Sequence, residues 1–277
     1  LKGRVAIVTG ASRGAGRGIA LVLGEQGATV YVTGRSVRGA LTREDLPGTT
    51  IEDTAEQVTG RGGVGIPARC DHTADEQVKA LFERVQREQG QLDLLINNVW
   101  GGYENFESAD FDAPFWEQPL WRWDKMFTAG VRAHYASSRL AAPLMMARRQ
   151  GLIVSTTFWD RDKMLSSLPY DLAKAAINRM ACAMALELRP YDVAAVALSP
   201  GWMRTEAVMA HGHTPEELGR TESVEYIGRA VVALATDPNV IEQSGKTLTV
   251  GDLARVYGFS DIDGSQPPAF RVSNHRA

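Results

Sequence analysis

An apolar run, Val5-Ala6-Ile7-Val8, ends directly in Thr9-Gly10-Ala11-Ser12-Arg13-Gly14-Ala15-Gly16, and a helix-forming stretch follows at once. Strand, glycine turn and helix in that order constrain the chain to an α/β unit whose first crossover opens on a phosphate-sized cradle. Gly10 can turn the chain where a Cβ would clash, Gly14 lets backbone approach a pyrophosphate, and Gly16 lets the helix pack closely on the sheet. The helix N-terminus then faces the anion. Gly10, Ser12, Arg13, Gly14, Ala15 and Gly16 are therefore the candidate phosphate-binding residues.

The same alternation continues along the chain. Apolar, β-branched runs at Arg4 to Thr9, Thr29 to Thr33, Val64 to Cys70, Leu92 to Asn97, Leu152 to Thr156, Val193 to Ser199 and Thr247 to Val250 are separated by helix-period stretches. They predict a Rossmann-type, doubly wound parallel α/β sheet of about seven strands with helices on both faces. With 277 residues, 44% of them hydrophobic, one dinucleotide-binding domain over 1–277 can bury a sufficient core. A formal net charge of -3 gives no electrostatic case for nucleic acid or an anionic membrane, and no run approaches the roughly 20 apolar residues that span a bilayer. A soluble, cytoplasmic protein with a small-molecule partner is the expectation. Cys70 and Cys182 are too few for a disulfide framework and lack metal-ligand spacing, so both read as buried structural thiols and no metal is expected.

Two long excursions, Ser36 to Thr50 and Trp100 to Arg122, follow the carboxyl ends of strands, the edge where ligands sit in open α/β sheets. The second carries Trp100, Tyr103, Phe106, Phe111, Phe115, Trp116 and Trp121, a candidate substrate wall or lid. The tail from Ser260, with Pro267 and Pro268, is expected to lie over the surface or to reach a neighbouring subunit.

About twenty residues past a glycine loop of this kind, NAD-preferring folds place an acid for the adenosine ribose. Here the position is Arg35, no Asp or Glu occurs from Ala28 to Arg43, and Arg38, Arg43 and Arg13 add further positive charge. A guanidinium offers a planar fork of donors to a phosphate, which points to the 2′-phosphate of NADP. Farther on, Tyr170 and Lys174 stand four apart in Tyr170-Asp171-Leu172-Ala173-Lys174 and share one helical face. A free tyrosine has a pKa of about 10; a nearby ammonium is expected to favour the phenolate and lower that value, making Tyr170 an acid/base group at neutral pH.

These motifs, with Asn97-Asn98 and with Pro200-Gly201 followed by Thr205, resemble the short-chain dehydrogenase/reductase family over nearly the whole chain. Within that family the resemblance is strongest to one branch, through Arg4 to Arg35, Gly130-Val131-Arg132-Ala133-His134-Tyr135, Pro169-Tyr170 and Gly251-Asp252-Leu253-Ala254-Arg255. The resemblance implies that Asp71 and His72 lie by the adenine, Asn98 by the cofactor ribose, and Pro200, Gly201 and Thr205 around the nicotinamide. It implies that Lys174 also binds the nicotinamide ribose. Homo-oligomers that pair the helices around Trp123 to Arg148 and Tyr170 to Leu188 are implied in the same way.

Two departures from the family pattern stand out. The serine usual thirteen residues before the tyrosine is Thr157, whose hydroxyl can still orient a substrate oxygen. Val99-Trp100 follows Asn97-Asn98 in place of a small pair, and Gly130 replaces the helical asparagine of the family's proton relay. Either water alone then links Lys174 to solvent, or the proton path differs. The expected activity is NADP-dependent interconversion of a carbonyl and an alcohol, with Tyr170, Lys174 and Thr157 catalytic. Trp100, Trp116, Phe158 and Trp159 point to an apolar or aromatic substrate. The competing expectations are a non-catalytic NADP-binding sensor or scaffold, and an epimerase or dehydratase on the same fold.

Overall fold

The computed structural model describes residues 1–104, 108–161, 163–165 and 167–272, so Phe106 lies outside the described residues. The chain runs β1 (Val5–Val8), α1 (Gly14–Glu25), β2 (Thr29–Gly34), α2 (Ile51–Gly60), β3 (Val64–Arg69), α3 (Asp75–Gln89) and β4 (Leu94–Asn97). After a long loop come α4 (Leu120–Met126), a π-helical turn (Phe127–Arg132), α5 (Ala133–Arg148), β5 (Gly151–Thr156), α6 (Leu168–Leu188) and β6 (Val193–Ser199). The last elements are α7 (Glu206–Ala210), α8 (Pro215–Leu218), α9 (Val224–Thr236), β7 (Thr247–Thr249) and α10 (Val250–Tyr257).

All seven expected strands form, and every pairing between them is parallel. Their order is β3-β2-β1-β4-β5-β6-β7. The winding reverses between β1 and β4, and such a reversal opens a crevice at the carboxyl ends of the two strands. Successive strand residues point to opposite faces, which sorts the core into two layers. Ala6, Val8, Val30, Val32, Ile96 and Val154 pack with Ile19, Leu23, Ile227 and Val231 of α1 and α9. Ile7, Tyr31, Leu95 and Ile153 pack with Val78, Phe82, Val85 and Met145 of α3 and α5. Burial on both faces explains why these strands read as unbroken apolar runs.

The helix expected from Trp123 begins earlier, at Leu120, and is not uniform. Its π turn contains Gly130, and inserted turns of this kind concentrate at functional sites. Cys70 is buried as expected, with its thiol pushed up to about 12 by burial. Cys182 departs from the expectation and is only partly buried, because it sits on the less enclosed side of α6.

The α1–α9 contact depends on small residues that sequence inspection did not single out. A Cβ on Gly18 would lie 1.8 Å from the Val224 carbonyl oxygen, and one on Gly228 would lie 2.8 Å from Val22 Cγ2. Two helices can approach this closely only because neither residue carries a side chain. Gly18→Ala is therefore expected to lower stability by about 1–3 kcal/mol through overpacking, a fall in Tm of roughly 2–10 °C by calorimetry. An unchanged Tm would mean that the two helices have room to spare.

Candidate active site

The glycine turn closes on the end of β4. Gly10 has φ +64°, and a Cβ there would come 2.9 Å from Val99 Cα; one on Gly16 would come 2.3 Å from the Gly10 carbonyl oxygen. Asn98 Nδ2 donates to the carbonyls of Thr9 (3.1 Å) and Gly10 (3.0 Å), while Thr9 Oγ1 accepts from the N–H groups of Asn98 (2.8 Å) and Val99 (3.1 Å). Asn98 thus stands beside the cradle and clamps its backbone. At the start of α1 the Gly14 N–H donates to Glu206 Oε2 at 2.8 Å, and Arg17 lies 3.5 Å from the other carboxylate oxygen. The cradle already holds an anionic group supplied by α7, the chemistry expected of a phosphate site.

Arg35 follows β2 at this same edge, but it is not unpaired. Its guanidinium is bound to the Glu104 carboxylate from the loop after β4, and Lys125 Nζ donates to the same carboxylate at 2.8 Å. Arg38 pairs with Asp53 and Glu56, and Arg43 with Asp45, all acids outside the acid-free segment. Arg13 instead donates to the hydroxyls of Ser36 (3.4 Å) and Thr42 (3.3 Å). Ser12 is buried beside them. Asp71 accepts from the Thr73 N–H at 2.9 Å and Oγ1 at 2.7 Å. His72 is buried, its Nε2 2.7 Å from Thr33 Oγ1, and burial pushes its pKa down to about 4. Its ring is thus a neutral prop at the end of β2.

Tyr170 and Lys174, on the first turns of α6, are 7% and 8% exposed and share one face. The Tyr170 ring is walled by Trp100 at 5.6 Å between centroids, Phe111 at 5.9 Å and Phe158 at 6.2 Å. Its hydroxyl is hydrogen-bonded with that of Tyr103. Lys174 Nζ lies 3.9 Å from the centre of the Trp100 indole and 5.5 Å from the centre of the Tyr170 ring. Trp100 and Gly130 account for each other, because a Cβ on Gly130 would sit 2.6 Å from indole Cζ3.

The electrostatics differ from the expected depression of the tyrosine pKa. Burial, with Tyr103 and Asp171 nearby, pushes the Tyr170 phenol well above its ordinary value, and burial pushes Lys174 down to about 7. A desolvated ammonium seated on an indole face exerts too little on the phenol to reverse that cost. Tyr170 is a neutral hydrogen-bond donor in the protein by itself. Thr157 reaches the same region, but its hydroxyl donates to the carbonyls of Phe158 (3.3 Å) and Lys174 (3.2 Å). Rotation about its Cα–Cβ bond is needed to turn that hydroxyl to a substrate oxygen.

Pro200 and Gly201 leave β6 at the same edge. The Gly201 N–H meets the carboxyl of buried Glu222, whose pKa burial pushes up to about 8. Thr205 caps α7, its Oγ1 accepting from the Val208 N–H at 3.2 Å. The expected residues therefore gather along one edge, with Trp116 as an exception. It is 72% exposed, and the ring it meets edge-on is that of Phe115, itself exposed. Trp159 contributes its backbone N–H to Ser199 Oγ at 3.1 Å.

Several residues that matter here carried no local sequence signal. Arg122 is fully buried and donates to the carbonyls of Ala109 (2.7 Å) and Asp110 (2.8 Å), with its guanidinium over the Phe111 ring. It holds the loop that delivers Phe111. The tail returns over its own chain: Phe270 packs on Phe158 at 6.1 Å, and the Val272 N–H donates to buried Asp160 at 2.6 Å. Tail and aromatic loop thus approach Tyr170 from different parts of the chain. Only contacts far apart in sequence reveal Glu104, Glu206 and Phe270.

A family model described as short chain dehydrogenase matches residues 4–216. Mouse dehydrogenase/reductase SDR family member 1 is 43% identical over 277 residues, with 95% of this chain and 85% of the relative covered. A 7alpha-hydroxysteroid dehydrogenase from Clostridium sardiniense is 29% identical, with 86% and 88% covered. The crystal structure of a short chain dehydrogenase from Mycobacterium thermoresistibile superposes with a TM-score of 0.80 at 27% identity, covering 97% of this chain and 94% of the other. The chain belongs to the short-chain dehydrogenase/reductase family, in the branch of dehydrogenase/reductase SDR family member 1.

Proposed function

We propose that the protein is an NADP-dependent oxidoreductase interconverting a carbonyl and an alcohol, built as one dinucleotide-binding domain over 1–277. The observation that carries the reading is the Tyr170 phenol, buried and neutral, on one helical face with Lys174 and at the same sheet edge as the glycine cradle. A nicotinamide dinucleotide, when bound, supplies or accepts the hydride. The Gly14 N–H, which holds a carboxylate here, supports a phosphate at that place. Gly10, Ser12, Arg13, Gly14, Ala15 and Gly16 would hold the pyrophosphate, Arg35 the 2′-phosphate, Asp71 and His72 the adenine side, Asn98 and Lys174 the riboses, and Pro200, Gly201 and Thr205 the nicotinamide end.

In the reducing direction Tyr170 gives its proton to the carbonyl oxygen as charge develops there, and a neutral phenol is the form that can do so. Thr157, with its hydroxyl turned from the backbone, orients the same oxygen. Lys174 takes its place beside the phenol and stabilises the phenolate that remains. Trp100, Phe111, Phe158 and Phe270 exclude water and favour an apolar or aromatic substrate. Exposed Tyr135, Leu172 and Leu186 on α5 and α6 support a homo-oligomer. No described helix is long and apolar enough to cross a membrane, and a cytoplasmic place is part of the reading.

A panel of aldehydes and ketones screened by NADPH absorbance tests the activity. On any substrate so found, Tyr170→Phe is expected to abolish turnover while NADP binding stays within a few-fold by calorimetry. Full activity in that variant would refute the assignment, and tight NADP binding with no substrate across the panel would favour a sensor.

Thr157→Ser should retain activity and Thr157→Val should lose roughly a hundredfold in rate, the scale of one lost donor to a developing oxyanion. Unchanged turnover in the valine variant would remove Thr157 from the site.

NADP should bind more tightly than NAD by about one to two powers of ten, the scale of a charge-assisted contact of roughly 1.5–3 kcal/mol. Arg35→Asp should reverse the preference. Equal affinities in the unaltered protein would contradict the role of Arg35.

A further inference from the structure

Lys174 is a buried cation whose surroundings contain an unusual partner. Among the described residues its ammonium makes no hydrogen bond to an oxygen and no ion pair, and the group it faces most closely is the centre of the Trp100 indole, at 3.9 Å. An ammonium over an indole face is attracted by the ring quadrupole, most strongly where water is excluded. The indole is placed by packing: its Nε1 is buried with no hydrogen-bond partner, it meets the Tyr170 ring edge-to-face at 5.6 Å, and its six-membered ring occupies the space a Cβ on Gly130 would need. Gly130 lies in the π turn between α4 and α5, so the distortion of that helix and the seat of the ammonium share one residue.

We propose that Trp100 is a positioning residue for Lys174: its indole face, admitted by the missing side chain of Gly130, seats the ammonium beside Tyr170 and favours its charged form. This deepens the proposed function, since it names what holds the lysine that serves the tyrosine, but it concerns the protein without any ligand. The titratable groups that face Lys174 are Tyr170 on its own helix and His134 on α5, and those that reach it through Tyr170 are Tyr103 of the loop and Asp171 of α6. Burial, and then the Lys174 charge, hold His134 at a pKa of about 3, and Tyr170 is held neutral. Neither changes charge near neutrality, and the lysine signal lost in Lys174→Met reports the titration of Lys174 itself, which burial brings to about 7.

The test follows the Cε carbon of lysine by NMR across pH in labelled, ligand-free protein, with Lys174→Met identifying the signal. Loss of the ring removes an attraction that only the charged form feels, so Trp100→Leu should lower the titration midpoint by roughly 0.4–1.5 units. Trp100→Phe, which keeps a weaker aromatic face, should lower it less. Gly130→Ala should lower it by pushing the indole off the ammonium, and should add nothing in a Trp100→Leu background. The phenylalanine and Gly130→Ala variants decide the matter if Trp100→Leu does not fold. A midpoint that stays put or rises on loss of the ring, or a Gly130→Ala effect that persists without Trp100, would overturn the proposal. Because no cofactor or substrate is present, the outcome is independent of whether the protein reduces carbonyls.

Discussion

The close passage of the Gly10 turn over the Asn98–Val99 backbone sets the geometry of the carboxyl edge. A Cβ on Gly10 would meet Val99 Cα at 2.9 Å, and Thr9 Oγ1 and Asn98 Nδ2 lock the two segments together through four hydrogen bonds. That contact fixes where the chain leaves β4. Val99 is pinned again from the other side by His134, whose Nε2 lies 3.1 Å from its carbonyl oxygen. Trp100 follows directly, so the position of the indole, and through it of Lys174 and Tyr170, is tied to the same turn that shapes the anion cradle.

The second constraint is electrostatic. Two regions of opposite character meet at this edge: one built of the Gly14 N–H and the side chains of Arg13, Arg17 and Arg35, the other of aromatic rings around a neutral phenol. The charges of the first are balanced by acids from distant segments, Glu206 at the Gly14 N–H and Glu104 at Arg35. A phosphate group at the proposed site would meet these carboxylates as competitors, which would make its binding an exchange rather than a simple addition. In the second region Lys174 makes no ion pair among the described residues, and a cation without one depends on rings and burial for its properties.

Much of this was legible in the chain. The five strands β1, β2, β4, β5 and β6 announced themselves because they are buried along nearly their whole length and therefore continuously apolar, and Tyr170 and Lys174 because helical spacing alone brings them together. What stayed hidden depends on contacts between distant segments. The acid-free stretch around Arg35 gave no hint of Glu104, which arrives from the loop after β4. Gly130 and Trp100, which the sequence sets side by side as departures from the family pattern with no link between them, are one packing arrangement. The pKa of Tyr170 was expected to fall, since spacing reports the nearness of Lys174 and says nothing of how strongly burial opposes the phenolate. Phe270 was beyond reach because nothing in the tail's composition says where it returns.

The chemistry proposed at Tyr170 can be read directly by giving the protein NADPH with deuterium at both C4 positions of the nicotinamide together with a carbonyl compound from which it forms an alcohol, and locating the label by mass spectrometry. Direct transfer beside a proton-donating phenol requires one deuterium on the carbinol carbon of each product molecule, and no labelled alcohol from a protein lacking the Tyr170 hydroxyl. Alcohol formed without the label, or labelled alcohol formed equally well without that hydroxyl, would contradict it.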